Sequence, residues 1–458
     1  MITFPGYESI IRNVYDKNQE HVFLHWDGMN DEERRRLLED LAGVDFDLIE
    51  RLFTSGESHA GPDFEPAPFI SLPGTEDEKA EYVRAREAGE AHVRDGKMAA
   101  FVVAGGQGSR LGYEGPKGKF PVGPISGKSL FHIHAEKVLA SSRKYGTRIP
   151  FLIMTSRANH GETVEYFKEH HNFGIDSGDL FIFPQNMIPA LDTKGRLILE
   201  DKDRIFKNPD GHGGSLTALS TSGVLEKMKE RGIETISYFQ VDNPLVRIID
   251  PVFIGFHLLR DADVSSKAVR KAYPEEKVGV FVRYPDGTIG VVEYSDLPRE
   301  KTTSRDAKGE LHYIAGSIAI HLFRREFIER LTEGREISLP YHTAKKKIPA
   351  YLGGEQKEID GLKYEKFVFD ALPLTEKNVV FETLRESEFA PVKNREGVDS
   401  VESARAMMSD EHRRWLDERG IRIPASVRRV EISPLAALEP DDLEPSLTLP
   451  DDGEVYLS

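Results

Sequence analysis

Between residues 98 and 241 the chain sets short apolar runs between longer stretches of helical spacing. The runs are "MAAFVVA" (98–104), "PFLIMT" (150–155), "LFIF" (180–183) and "ETISYFQV" (234–241), with helical patterns near 129–144, 160–171 and 215–231. A short continuous apolar run fits a strand buried on both faces, and strands alternating with helices predict a largely parallel sheet covered by helices. From about 278 to 322 the pattern becomes strand-rich. Within it, "VGVFVRYPDGTIGVVEY" predicts a hairpin turning at Asp286 and Gly287.

The two ends pattern differently. "NDEERRRLLEDLAGVD" puts Leu37, Leu38 and Leu41 on one helical face, and "DEKAEYVRAREAGEAHVRDG" predicts a charged helix ended by Gly96. The Pro/Gly-rich "GPDFEPAPFISLPG" joins them. A last helix is expected near 402–419, before a tail from Val430 with eight acidic residues and no Lys or Arg. That tail reads equally as strand and loop packed on the core or as a solvated acidic end. The division expected is a helical region over 1–95, a core over 96–385 and a C-terminal helix and tail over 386–458.

Composition narrows the chemistry. The 458 residues carry 61 Lys and Arg against 77 Asp and Glu, a net charge of −16, which disfavours general binding to nucleic acid and leaves anion recognition to local clusters. The absence of cysteine excludes disulfides, thiol catalysis and Cys-metal sites. The opening "MITFPGYESIIRNVYDKNQE" lacks the apolar core of a signal peptide, and no apolar stretch approaches a membrane span. A cytoplasmic enzyme is the expectation; the oligomeric state is not legible.

The candidate chemistry begins at "FVVAGGQGSRLGYEGPKGKF" (101–120). A dinucleotide fingerprint started at Gly106 meets Leu111 where its last glycine belongs, and "GPISGKS" is one residue too short for a P-loop. What remains is a turn at the carboxyl end of a buried strand. There Gly105, Gly106 and Gly108 let backbone come close to a ligand, and Arg110 and Lys117 supply positive charge. A phosphate-rich ligand fits that combination. "ISYFQVDNPL" ends another strand and presents Asp242, a carboxylate suited to a hard cation or to capping a turn.

The stretch "AGGQGSRLGYEGPKG" resembles the signature of the eukaryotic-type UDP-sugar pyrophosphorylases, G-G-x-G-[ST]-R-L-G-x-x-x-P-K-G. The resemblance continues through "PQNMIPAL", "PDGHGG", "QVDNPLVRIIDPVFIGFH", "GVVEYSDL", "AGSIAIH", "AKKKIP", "EKFVFD" and "LRESEFAPVKN", spanning roughly 98–420 in order. It implies a Rossmann-like α/β fold with a mixed, mostly parallel sheet of the nucleotidyltransferase (GT-A-like) type. It also implies a reaction of UTP with a sugar 1-phosphate to give UDP-sugar and pyrophosphate, with Mg2+ as cofactor.

By the same resemblance, the backbone of Gly105, Gly106 and Gly108 contacts nucleotide, while Arg110 and Lys117 act on the phosphates. Gln185 recognises uracil, Asp242 holds the metal and Lys393 the sugar phosphate. Gly211, His212, Asn243, Glu293, Gly316, Ser317, Lys346 and Lys347 are expected around the substrate, with Phe367 and Phe369 as a wall near the sugar. Lys119 reads equally as a solvated residue, and which of Lys345, Lys346 and Lys347 faces the site is open. The chain departs from the N-acetylglucosamine enzymes at His212 and Ser317, where they usually carry Asn. N-acetylglucosamine 1-phosphate is the expected sugar, glucose or galactose 1-phosphate the alternative. Outside this reaction, a metal-dependent glycosyltransferase or a non-catalytic UDP-sugar sensor would also use a nucleotide-binding sheet. Release of UDP rather than pyrophosphate would distinguish the first, and absence of turnover the second.

Overall fold

The computed structural model of the protein describes residues 1–55, 63–333 and 339–458; the first two residues of the Pro/Gly-rich connection expected at 61–74 lie outside them. The chain forms two compact units. One comprises Met1–Gly61, Gln185–Ser215 and Ser338–Val368; the other comprises Pro62–Pro184, Leu216–Ile337 and Phe369–Ser458. The units cut across the linear division of the sequence, because strands and helices distant in sequence share one core.

The larger unit is built on a ten-stranded sheet. Its centre runs Thr235–Gln240, Met98–Val103, Phe151–Thr155 and Leu180–Pro184, all parallel. These are the four apolar runs, and residues 98–102 and 151–154 are fully or almost fully buried, as strands covered on both faces must be. Beyond Thr235–Gln240 the sheet becomes mixed: Ala315–Arg324 pairs antiparallel with it and with Val264–Arg270. The hairpin expected at Asp286 and Gly287 is present as Val280–Arg283 against Ile289–Val292.

Chain order reverses between Met98–Val103 and its neighbour Thr235–Gln240, since the strands that follow Val103 stack on the other side. Such a switch point splays the loops at the carboxyl ends of its two strands and opens a crevice there. Those loops begin at Ala104 and at Val241.

Helices cover the sheet where the periodicity places them. Leu130–Tyr145 starts on the Ser129 hydroxyl, which accepts from the His132 N–H at 3.1 Å, and ends on left-handed Gly146. The pattern near 215–231 divides into Gly214–Thr221 and Val224–Glu230 at Gly223, whose φ is 74°. The charged helix Glu76–Arg94 opens with a Thr75–Glu78 capping box and packs on Pro251–Leu259. A Cβ on Gly89 would stand 1.9 Å from the Pro251 carbonyl oxygen, and one on Gly255 would stand 1.7 Å from that of Ala85. This close crossing therefore needs both glycines.

The acidic C-terminal tail is packed. Arg429–Ile432 pairs parallel with Glu454–Leu457, and Val430, Ile432, Leu443, Leu449 and Val455 bury against Trp415 and Leu416 of helix Val401–Glu418. Most of its carboxylates stay outside, Glu431 excepted, which is buried and accepts the Ile125 and Ser126 amides, while every few residues an apolar side chain turns inward; composition alone therefore left both readings open.

The smaller unit packs helices Glu8–Asp16 and Asp31–Ala42 around Ile11, Val14, Leu37, Leu38 and Leu41, all essentially inaccessible to water. It also contains a hairpin absent from the sequence expectation, His342–Leu352 against Glu355–Glu365, turning at Gly353 and Gly354 with φ of 64° and 91°. Its strands are mostly polar and only Ile348, Ala350, Gly361 and Tyr364 are buried along them, so the apolar alternation that marks a strand is faint.

Candidate active site

The loop after Val103 is fixed by its own backbone. The Gly108 amide donates to the Gly115 carbonyl at 2.9 Å and the Lys117 amide to the Gly106 carbonyl at 3.1 Å, closing the stretch into a flattened hairpin. Gly112 and Gly115 take φ of 70° and 116°, open to glycine at little cost. Asn159, fully buried, donates from Nδ2 to the carbonyls of Ala104 (2.9 Å) and Gly106 (3.3 Å) and accepts the Ser156 amide on Oδ1 (2.8 Å). A Cβ on Gly106 would meet nothing within 4 Å, so this piece of backbone faces open space that a ligand can enter. Gly118 is the opposite case: a Cβ there would fall 2.2 Å from the Phe131 ring.

The cations divide. Arg110 is exposed in the short turn Ser109–Leu111. Lys117 turns toward the neighbouring loop, and its ammonium lies 2.9 Å from Asp242 Oδ2, with both side chains largely shielded from water. Lys119 points elsewhere: it pairs with Glu162 at 2.6 Å and lies over the Tyr166 ring. It is thus engaged on the flanking helix His160–Glu169.

Asp242 follows the strand Thr235–Gln240 and is held from two sides. On one, the buried ring of His134 bonds the Val241 carbonyl through Nε2 at 2.9 Å. A carbonyl can only accept, so the His134 proton sits on Nε2. Burial keeps this ring neutral, its pKa pushed down to about 3. One turn on, Lys137 donates to the carbonyls of Pro244 (2.6 Å) and Val246 (2.8 Å). On the other side the Val392 amide donates to the Asp242 carbonyl at 2.8 Å. Asn243, expected near substrate, spends its side chain on the same segment: Nδ2 donates to the Glu388 carbonyl (2.7 Å) and Oδ1 accepts the Ala390 amide (3.0 Å). These bonds tie the Asp242 loop to the segment that continues into Lys393.

Glu388 carries a further layer. Its carboxylate and that of Asp250 both bind the ammonium of Lys267, a lysine with no exposed surface, and Asp250 is 2.6 Å from it. Two carboxylates around one buried cation make that charge tolerable away from water.

Glu293 and the Gly316–Ser317 pair meet around Gly279. The Ser317 amide donates to the Gly279 carbonyl at 2.8 Å, and Glu293 Oε1 stands 3.4 Å from where a Gly279 Cβ would be. Phe369 is buried in the same unit.

Gln185, Gly211, His212, Lys346, Lys347 and Phe367 belong to the smaller unit. Gln185 is buried. Gly211 has φ of 84°, and a Cβ there would lie 2.4 Å from the Lys366 carbonyl oxygen. His212 accepts the Val368 amide on Nδ1 (3.1 Å) and lies parallel to the Phe367 ring at 5.3 Å, while His342 stacks on the same ring at 4.3 Å. Burial pushes the His212 pKa down to about 4. Lys345, Lys346 and Lys347 are all exposed along one strand, and Lys347 pairs with Asp360 across the hairpin at 2.8 Å.

With this geometry in view, the relatives are informative. The family model described as UTP--glucose-1-phosphate uridylyltransferase matches residues 71–440. The chain belongs to this family. Its members of similar sequence include UDP-N-acetylglucosamine diphosphorylase 2 of Arabidopsis thaliana, 37% identical over 96% of this chain and 92% of that protein. The UDP-N-acetylglucosamine pyrophosphorylase of Saccharomyces cerevisiae is 32% identical over 91% and 92%. Among solved structures, the uridine diphosphate N-acetylglucosamine pyrophosphorylase of Trypanosoma brucei in complex with inhibitor superposes with a TM-score of 0.82 at 27% identity, covering 100% of this chain and 99% of that one. The mixed α/β fold and uridylyltransferase class expected from sequence are those of the family.

Residues that sequence reasoning did not single out are the supports: Asn159, His134, Lys137 and Lys267. Each is an ordinary polar residue within a helix, strand or turn, and nothing in its local spacing distinguishes it from a surface residue. No helix among the described residues is long and apolar enough to cross a membrane.

Proposed function

We propose that this uridylyltransferase joins UTP to N-acetylglucosamine 1-phosphate, releasing pyrophosphate. The observation that carries the reading is the approach of Lys117 to Asp242 across the switch point, 2.9 Å apart at the ends of two parallel strands. The relatives named for N-acetylglucosamine support the choice of sugar.

In the reaction a phosphate oxygen of the sugar attacks the α-phosphorus of UTP, the new oxygen–phosphorus bond forms and the bond to the β-phosphate oxygen breaks. The nucleophile is already an anion, so no side chain need remove a proton. What the chain supplies is position and positive charge. The Gly105–Gly108 backbone lies against the nucleotide, Arg110 and Lys117 balance the triphosphate, and Lys393 receives the sugar phosphate. Glu293 and Ser317 meet the sugar.

The donor set suits Mg2+. Asp242 offers a hard carboxylate at the mouth of the crevice, and among the described residues no group of three or more His, Asp or Glu is placed to hold a metal unaided. An ion here would complete its shell from phosphate oxygens and water, as Mg2+ commonly does. When bound, Mg2+ neutralises phosphate charge and acts as a Lewis acid.

The test is pyrophosphate release from UTP with N-acetylglucosamine, glucose and galactose 1-phosphates and Mg2+. The highest kcat/KM is expected with the N-acetylglucosamine compound. A preference for glucose 1-phosphate would replace the sugar assignment, and release of UDP in place of pyrophosphate would overturn the reaction.

A further inference from the structure

A cavity of about 100 Å3 lies behind the Asp242 loop, enclosed by helix Leu130–Tyr145, the segment 244–252, helix Val401–Glu418 and residues 431–439. The reaction described above makes no use of it. Four cations line it: Arg86 and Lys144, both held by Glu439, and Lys137 and Arg247. Lys137 spends two donors on the Pro244 and Val246 carbonyls, leaving the third of its ammonium. Arg247 is less well served. Its Nε is buried without a hydrogen-bond partner, and its Nη2 lies 3.7 Å from Glu411 Oε1, beyond hydrogen-bond length.

The neighbouring acids are committed to other donors. Glu411 accepts from Trp415 Nε1, Ser387 and Arg414. Glu439 holds Arg86 and Lys144, and Asp250 holds Lys267 and the amides of Val252 and Phe253. A guanidinium presents five donors in a rigid fork matched to a carboxylate or phosphate, so the cavity carries surplus donors and no free acceptor opposite them. Burial pushes the Lys137 pKa down to about 7; Glu388 and Glu411 oppose that push and the charge of Arg247 adds to it. An anion reaching both would meet the third Lys137 donor and the unpartnered Arg247 Nε. The rest of the wall includes Ile133, Met408, Trp415 and Leu438.

We propose that this cavity is a binding site for a small oxyanion, a carboxylate or phosphate, gripped by Arg247 and Lys137 with any short apolar body lying against Met408 and Trp415. The volume sets the size class: a void of about 150 Å3 takes benzene, so this one takes a few non-hydrogen atoms. Its roof, residues 244–247, directly follows Asp242 and Asn243.

Calorimetric titration of the protein with inorganic phosphate and with butyrate, at ionic strength matched with chloride, tests the site. Arg247→Met, Arg247→Lys and Lys119→Ala serve as variants. Saturable binding of at least one anion is expected, at least tenfold weaker in Arg247→Met and undiminished in Lys119→Ala. Phosphate as the responding anion assigns a phosphorylated or inorganic ligand; butyrate assigns a carboxylate with an apolar body. Arg247→Lys keeps the charge and loses the fork, and is expected to weaken binding too; it decides the matter if Arg247→Met does not fold. No saturable binding above chloride, or binding that survives both Arg247 variants, would overturn the proposal.

Discussion

Lys117 and Asp242 form an ion pair of 2.9 Å across the crevice where the parallel sheet reverses its strand order. The two side chains arrive there on loops separated by well over a hundred residues of sequence, and each is the partner that phosphate or a hard cation would have to draw away. On the proposed assignment of a divalent ion to Asp242, Lys117 would compete with that ion for the carboxylate in the absence of nucleotide.

Removing the lysine should separate metal affinity from turnover. In Lys117→Ala, Mn2+ binding to nucleotide-free protein, followed by water-proton relaxation, is expected to tighten several-fold while kcat falls. Asp242→Asn is expected to lose the binding altogether. Equal Mn2+ affinity in wild type and Lys117→Ala would show that the pair imposes no competition.

Gly118 has no room for a side chain, because Phe131 is fully buried and itself packed against Phe167 at 5.2 Å. Gly118→Ala is predicted to destabilise the protein by about 1–3 kcal/mol, the usual cost of overpacking a core. Urea denaturation measures it. Gly106→Ala, in open space and at a φ outside the left-handed region, should leave stability within about 0.5 kcal/mol.

Asn243 braces the Asp242 loop against the segment leading to Lys393. Asn243→Ala leaves the Glu388 carbonyl and the Ala390 amide without their partner, at about 1–3 kcal/mol for each buried group left unmade. Because the same bonds set the spacing of Asp242 and Lys393, KM for the sugar phosphate is expected to rise in parallel with the loss of stability. Unchanged KM in a destabilised variant would confine Asn243 to a structural role.

Acid should destabilise the fold before carboxylates titrate. Burial pushes His134, His257 and His412 down to about 3 and His212 down to about 4. Between these values and the ordinary pKa of about 6.5, the unfolded chain binds protons that the folded chain does not, so stability falls as pH drops through that window. Asp210, raised to about 7 by burial, acts oppositely, since its proton is held by the folded state. Four imidazoles outweigh it. Thermal midpoints measured from pH 7 to 4 are expected to decline, and a flat profile would contradict the burial of these rings.

Much of this architecture is written in local pattern. The four apolar runs and the helices between them announce themselves because residues buried on both faces leave no polar position to break the run. The turn after Val103 is equally legible, since the glycines at 105, 106 and 108 mark a place where the backbone turns sharply. What pattern does not carry is pairing at a distance. Nothing near Lys117 names Asp242 as its partner, and Lys119, two residues on and chemically the same, turns to Glu162 instead. The hairpin at 342–365 escapes because its exposed faces are polar, and Asn159 or Lys137 because a single buried polar side chain has no period. The union of residues 1–61 with 185–215 and 338–368 in one unit likewise rests on tertiary contacts that no single stretch encodes.

The contrast between two neighbouring lysines tests the central claim most directly. In steady-state pyrophosphate release with N-acetylglucosamine 1-phosphate, Lys117→Ala is predicted to lower kcat by on the order of 10²–10³-fold, the cost of losing one preorganised charge at a reacting centre. Lys119→Ala, which breaks a partly exposed ion pair with Glu162, is predicted to stay close to wild type. Equal losses, or a larger loss at Lys119, would contradict the placement of the reaction between Lys117 and Asp242.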